Sequence, residues 1–159
     1  MKPFYIIQVL FDIKNSIFKK DSYQMWQTIS YVSTVDPSLS DDDMEKLFDF
    51  VKLKNNNLKI TGILMYSDGN FLQVLEGKKD LIDSLFLKIK QDARHYNIIK
   101  IFDRAIVNPC FSRYHSNFTV VGESYDHSEL QAFLREEKSF NPDNYKSISY
   151  LANKFMKLS

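Results

Sequence analysis

Asn70-Phe71-Leu72-Gln73-Val74-Leu75-Glu76-Gly77 alternates strictly enough to predict a strand. Phe71, Gln73, Leu75 and Gly77 fall on one face, and Leu72, Val74 and Glu76 on the other. Upstream, Trp26 to Thr34 reads as a first strand with Ile29, Tyr31 and Ser33 on a common face. Ser40-Asp41-Asp42-Asp43 reads as a capping box. Met44, Leu47, Phe48 and Val51 then follow at i, i+3, i+4 and i+7, which predicts an amphipathic helix to about Lys52. Lys54-Asn55-Asn56-Asn57 carries turn chemistry and ends it. Ile60 to Tyr66 is a second strand, and Ser67-Asp68-Gly69-Asn70 is a hairpin turn leading into the strand at Phe71. Leu81, Ile82, Leu85, Phe86 and Ile89 define a second helix to about Asp92. Ile98 to Val107 is a fourth strand, broken by Asn108-Pro109, and Phe118 to Val121 a fifth.

This order, β-α-β-β-α-β plus one strand, predicts an α+β, ferredoxin-like sheet with both helices on one face. Ile63, Met65, Leu72 and Val74 make the other face apolar, so it needs a cover. Two C-terminal helices can supply it. Ser128 to Glu137 carries Leu130, Phe133 and Leu134; Asn141-Pro142 opens the last helix, whose stripe is Ile148, Leu151, Ala152 and Phe155. They are expected on the far face of the sheet or against another subunit. The expected organisation is an N-terminal extension over residues 1–25, a core domain over 26–122 and a C-terminal helical cap over 123–159. The extension fits either periodicity, for Phe4 to Phe11 has high β-propensity while Phe4, Ile7, Leu10 and Phe11 also share a helical face.

Composition narrows the function classes. The 159 residues include 44% hydrophobic positions, enough for a packed core. Twenty-one basic and twenty acidic residues nearly cancel, so no nucleic-acid partner is expected. Cys110 is the single cysteine and cannot close an intrachain disulfide, which suits a reducing compartment. His95, His115 and His127 are scattered without metal-ligand spacing. The apolar run Phe4–Phe11 is too short to span a bilayer. A soluble cytoplasmic protein without a membrane span is the expectation.

Gln73 is the chemical anomaly. An amide placed between Phe71 and Leu75 on a buried face costs roughly 1–3 kcal/mol if its hydrogen-bonding groups stay unmet. The first and third strands of such a sheet are central neighbours. If Tyr31 and Gln73 share the helix-covered face, they lie within hydrogen-bond reach of about 2.8–3 Å. Asn55 leaves the first helix just before the second strand and can turn its amide into the space between the helices. These three would edge a slot with apolar walls and no nucleophile or acid–base pair. That suits a flat heterocycle with imide-like edges better than hydrolysis. Taken singly, each has a plainer role: Gln73 satisfied by backbone or water, Tyr31 a core tyrosine, Asn55 a helix C-cap. Arg94 would be a surface cation favoured by a helix C-terminus, and His95 would order the helix end.

Tyr31-Val32-Ser33, Asn55 with Ile60-Thr61-Gly62, Phe71 to Gly77, and Gln91-Asp92-Ala93-Arg94-His95 occur in an order and spacing that resembles the BLUF domain, a blue-light sensor using flavin. The resemblance covers about Trp26 to Val121. It implies non-covalent FAD between the two helices, with Asn55 on the flavin ring edge and Gln73 as the switching amide between flavin and Tyr31. Tyr31 matches the light-driven electron and proton donor. Arg94 and His95 match a basic pair at the end of the second helix, with Arg94 the flavin contact. The chain departs from the family at Lys54, where an asparagine or histidine is common. It also has Tyr114 and Ser116 where the family carries the Trp and Met of its signal relay. The expectation is a photoreceptor, not an enzyme, that signals to an unidentified downstream protein, with a homo-oligomer built on the C-terminal helices. The rivals are a light-insensitive interaction module of the same fold and an acylphosphatase-type hydrolase, the latter disfavoured because no Arg–Asn pair or phosphate loop stands out.

Overall fold

The computed structural model describes residues 25–107, 111, 118–122, 127–140 and 142–157. β1 (Trp26–Val35) leads to α1 (Asp41–Asn57), then to the hairpin of β2 (Thr61–Ser67) and β3 (Asn70–Lys78). α2 (Lys79–Ile89), β4 (His95–Ile106) and β5 (Phe118–Val121) complete the sheet, and α3 (Ser128–Phe140) and α4 (Pro142–Met156) follow. The strand order is β4-β1-β3-β2-β5. β1 pairs antiparallel with both β3 and β4, β2 pairs antiparallel with β3, and β5 lies parallel to β2. This is the expected α+β arrangement, a ferredoxin-like sheet with β5 added at one edge.

Local chemistry explains the elements. Ser40 Oγ accepts from the Asp43 N–H, and the Asp43 carboxylate accepts from the Ser40 N–H, so the capping box forms. Asp41, Asp42 and Asp43 complement the positive end of the helix dipole. Asp68 and Gly69 both take positive φ, 49° and 72°, the conformation that a two-residue hairpin favours because it matches strand twist.

Each sheet face carries its own core. Ile29, Tyr31, Leu64, Phe71 and Leu75 pack against Met44 and Leu47 of α1 and Leu81, Ile82 and Phe86 of α2. Ile63, Met65, Leu72, Val74 and Val121 pack against Leu130 and Leu134 of α3 and Ile148, Ala152 and Met156 of α4. The two C-terminal helices therefore cover the far face. Fully burying one such side chain is worth about 1.5–3 kcal/mol, so both faces contribute.

Several boundaries move. α1 runs past Lys52 to Asn57, and its reversal comes at Lys59, whose φ is 56°. α2 ends at Ile89, short of Asp92, and β4 starts at His95, three residues before Ile98. Arg94 therefore sits in the turn and His95 on a strand, neither at a helix end.

Gly62 lies inside β2 at φ 140°, beside Leu75 of β3 and Phe118 of β5. Residues with a Cβ pay about 1–3 kcal/mol there. Gly62→Ala is expected to lower unfolding stability by about that amount in urea titration; an unchanged midpoint would contradict the strain.

Candidate functional site

The β1–β3 register sets Tyr31 directly opposite Gln73. Both side chains stand on the face covered by α1 and α2, and both are buried. The Tyr31 hydroxyl donates to Gln73 Oε1. That bond uses the amide oxygen and leaves the Nε2 donors without an acceptor among the described residues. The pairing expected from strand order is thus present, and it accounts for half of the buried amide.

Asn55 reaches the same layer by a different route from the one expected. It is not past the helix but in its last turn, four residues after Val51 and eight after Leu47. That spacing continues the apolar stripe, so Asn55 is buried beneath α1 at 5% exposure. Its backbone carbonyl accepts from the Ile60 N–H at 2.9 Å and joins the helix end to β2. Its side-chain amide makes no hydrogen bond among the described residues. Among the described residues, then, two buried side chains carry amide donors with no protein acceptor.

The turn before β4 supplies a further side. Arg94 Nε donates to both Asp92 oxygens, at 2.9 and 3.1 Å, and its Nη2 donates at 2.5 Å. The guanidinium also lies over the Phe50 ring of α1, 5.7 Å from its centroid. Burial works to raise the Asp92 carboxyl, but the hydrogen bonds and charge of Arg94 outweigh it and hold it below the usual carboxylate range. His95 spends both ring nitrogens on protein atoms. Nε2 faces the Ile89 carbonyl at 2.8 Å and so carries the proton, while Nδ1 accepts from Ser33 Oγ at 2.8 Å. The His95 ring then ties β1, α2 and β4 together beside Tyr31 and Phe71, with centroids 6.1 and 6.3 Å away. Phe86 lies 5.6 Å from Tyr31 on the other side.

Ser33 and Asp92 are partners that the sequence reading did not single out. Ser33 had a signal, since it shares Tyr31's face two residues on. Asp92 had one too, in its spacing to Arg94. Tyr114 and Ser116 lie outside the described residues, as does Cys110. Among the described residues no group of three or more His, Cys, Asp or Glu side chains could hold a metal. None of the described helices is long and apolar enough to cross a membrane.

This arrangement is built around two amides and a phenol. It can bind the polar edge of a flat ring and exchange hydrogen bonds with it. The amide donors of Asn55 and Gln73 fit the carbonyl and nitrogen acceptors of a flavin ring.

Comparison with known proteins agrees with that chemistry. A family model described as BLUF, sensors of blue-light using FAD, matches residues 26–117. Photoactivated adenylate cyclase subunit beta of Euglena longa is 38% identical over 74 residues, 46% of this chain but only 9% of that protein. The chain therefore spans a small part of that relative's length. Klebsiella pneumoniae BlrP1, solved with FMN and cyclic diGMP, superposes with a TM-score of 0.59 at 30% identity, covering 70% of this chain and 30% of that one. BlsA in its photo-activated state gives a TM-score of 0.60 at 26% identity, covering 85% of this chain and 97% of that one.

Burial, and after it the charge of Asp92, push the Tyr31 phenol well above its ordinary value of about 10. The folded pKa exceeds the unfolded one, so the unfolded chain releases this proton first and stability falls as pH rises past about 10. While the fold persists, tyrosinate absorbance is expected to rise equally in wild type and Tyr31→Phe at about pH 10–11. A smaller rise in the variant would show that Tyr31 titrates with the exposed tyrosines.

Proposed function

The chain belongs to the BLUF family of flavin-based blue-light sensors, and from that premise we propose that it binds FAD non-covalently and signals by rearranging the Tyr31–Gln73–flavin hydrogen bonds. The observation that carries this reading is the Tyr31–Gln73 bond, in which a phenol donates to the oxygen of a buried amide and leaves the amide nitrogen uncommitted among the described residues. A BLUF domain is a sensor module, not an enzyme.

The residues divide the work. Asn55, on the buried side of α1, would hold the flavin ring edge through its side-chain amide. Arg94, held by Asp92 and lying over Phe50, would offer its charge to the bound flavin. His95 orders the strand and helix ends beside Tyr31, and its ring nitrogens are already engaged. When bound, the flavin supplies a ring that absorbs blue light and accepts an electron and a proton when excited. Tyr31, protonated at neutral pH, is their donor, and the Gln73 amide is the path for the proton. Tyr31 would recover both, and the Gln73 amide, free to rotate or tautomerise, would then present a different hydrogen-bonding edge to the ring. A hydrogen-bond change of order 1 kcal/mol is enough to bias packing around a strand.

The output is a partner protein. Relatives include photoactivated adenylate cyclases and a blue light- and temperature-regulated antirepressor of Escherichia coli, which is 30% identical over 77 residues. The C-terminal helices are the surface offered to such a partner or to a second copy, in a cytoplasmic setting. A second reading, a light-insensitive module of the same fold, draws on Tyr114 and Ser116 in place of the family's relay residues.

Purified protein is expected to be yellow and to release FAD on denaturation. Blue light should shift its flavin absorbance slightly to the red, reversing in the dark. Gln73→Leu and Tyr31→Phe should each keep flavin and lose the normal shift. Colourless protein that takes up no added FAD overturns the reading; yellow protein without a reversible shift selects the light-insensitive module.

A further inference from the structure

Gln73 and Glu76 are three residues apart on β3, so their side chains leave opposite faces of the sheet. Gln73 faces Tyr31. Glu76 enters the layer shared with α3 and α4, where it is 1% exposed. A carboxylate is retained in such a place only with strong partners. Glu76 Oε2 accepts from the backbone N–H of Phe111 at 2.9 Å and from Thr61 Oγ1 at 3.3 Å. Thr61 lies directly opposite Glu76 on β2, and Thr28 directly opposite on β1.

Phe111 belongs to the link between β4 and β5. Its side chain is wholly buried and packs in one cluster with Leu72 and Val74 of β3, Leu130 and Leu134 of α3, and Ile148 and Ala152 of α4. The Glu76–Phe111 bond is thus a direct polar tie from the strand carrying Gln73 to a residue packed in one cluster with the C-terminal helices. The same link carries Tyr114 and Ser116 three and five positions further along the sequence, where side-chain relay residues are replaced. A carboxylate-to-main-chain bond does not depend on what stands at those two positions.

We propose that Glu76 is a positioning residue for signal output. It couples the hydrogen-bond state of Gln73 to the placement of Phe111, and through Phe111 to α3 and α4. The proposal rests on the light-sensing reading above. β3 is paired along its length with β1 and with β2, so a change at Gln73 would act on the strand rather than on one side chain. Glu76 converts a shift along β3 into a change in the distance to the Phe111 N–H, and that bond weakens steeply with distance and angle.

The test uses the full chain loaded with FAD. Two quantities are read on each sample: the reversible red shift of flavin absorbance, and the light-minus-dark difference in amide hydrogen exchange over residues 128–140 and 142–156. Wild type should show both. Glu76→Gln, which keeps the shape but replaces the charge-assisted bond by a weaker neutral one, should keep the red shift and reduce the exchange difference in α3 and α4. Thr61→Val, which leaves the Phe111 bond in place, should keep both. A merely structural Glu76 would lower the melting temperature of Glu76→Gln yet leave the exchange difference at wild-type size for each flavin converted, and that result overturns the proposal. If Glu76→Gln does not fold with flavin, Glu76→Asp, which withdraws the charge by one methylene, is judged by the same criterion. A wild-type red shift with no exchange change in α3 or α4 overturns the coupling alone. Absence of the red shift in wild type overturns the light-sensing reading, and the coupling with it.

Discussion

A single hydrogen bond, from the Tyr31 hydroxyl to Gln73 Oε1, sets the terms for the rest of the molecule. It joins the two central strands on a buried face, and it exists only because β1 and β3 are in register at those two residues. A one-residue slip would send either side chain to the opposite face. Other contacts hold the neighbouring elements around that pair. The tight hairpin at Asp68-Gly69 fixes β2 against β3. The His95 clamp on Ser33 and Ile89 fixes β4 and α2 against β1. The Asp92–Arg94 pair, stacked on Phe50, closes the turn onto α1.

Much of this was legible in the sequence, because periodicity reports directly on which face is buried. The alternation around Gln73 and the stripes of both sheet helices predicted the strand order, and the order placed Tyr31 beside Gln73. The apolar far face predicted its own cover, and α3 and α4 supply it. Asn55 was less legible. Three successive asparagines read as a turn, but the helix penalty of each is only a few tenths of a kcal/mol. Burial of the stripe and the bond from the Ile60 N–H carry the helix two residues past Asn55. The partners of His95 and Arg94 were least legible. They depend on a short turn whose hydrogen bonds are local geometry, and hydrophobic patterning does not report on that.

The two faces of β3 do different work within one short motif. On the proposed reading, one face offers a switchable amide to the flavin. The other anchors a carboxylate under the residue that supports the C-terminal helices. Strand geometry alone makes this division, since any odd spacing along β3 changes face. On the proposed coupling, a small change on one side would be felt on the other without a long chain of side-chain contacts.

The central claim is that light changes the bonding of Gln73 to the flavin ring carbonyl, and infrared light-minus-dark difference spectroscopy of the FAD-loaded protein tests it most directly. The account predicts that a flavin carbonyl stretch moves to lower frequency under blue light, returns in the dark, and stays fixed in Gln73→Leu. A reversible visible red shift with an unmoved carbonyl band, or the same band shift in Gln73→Leu, would contradict it.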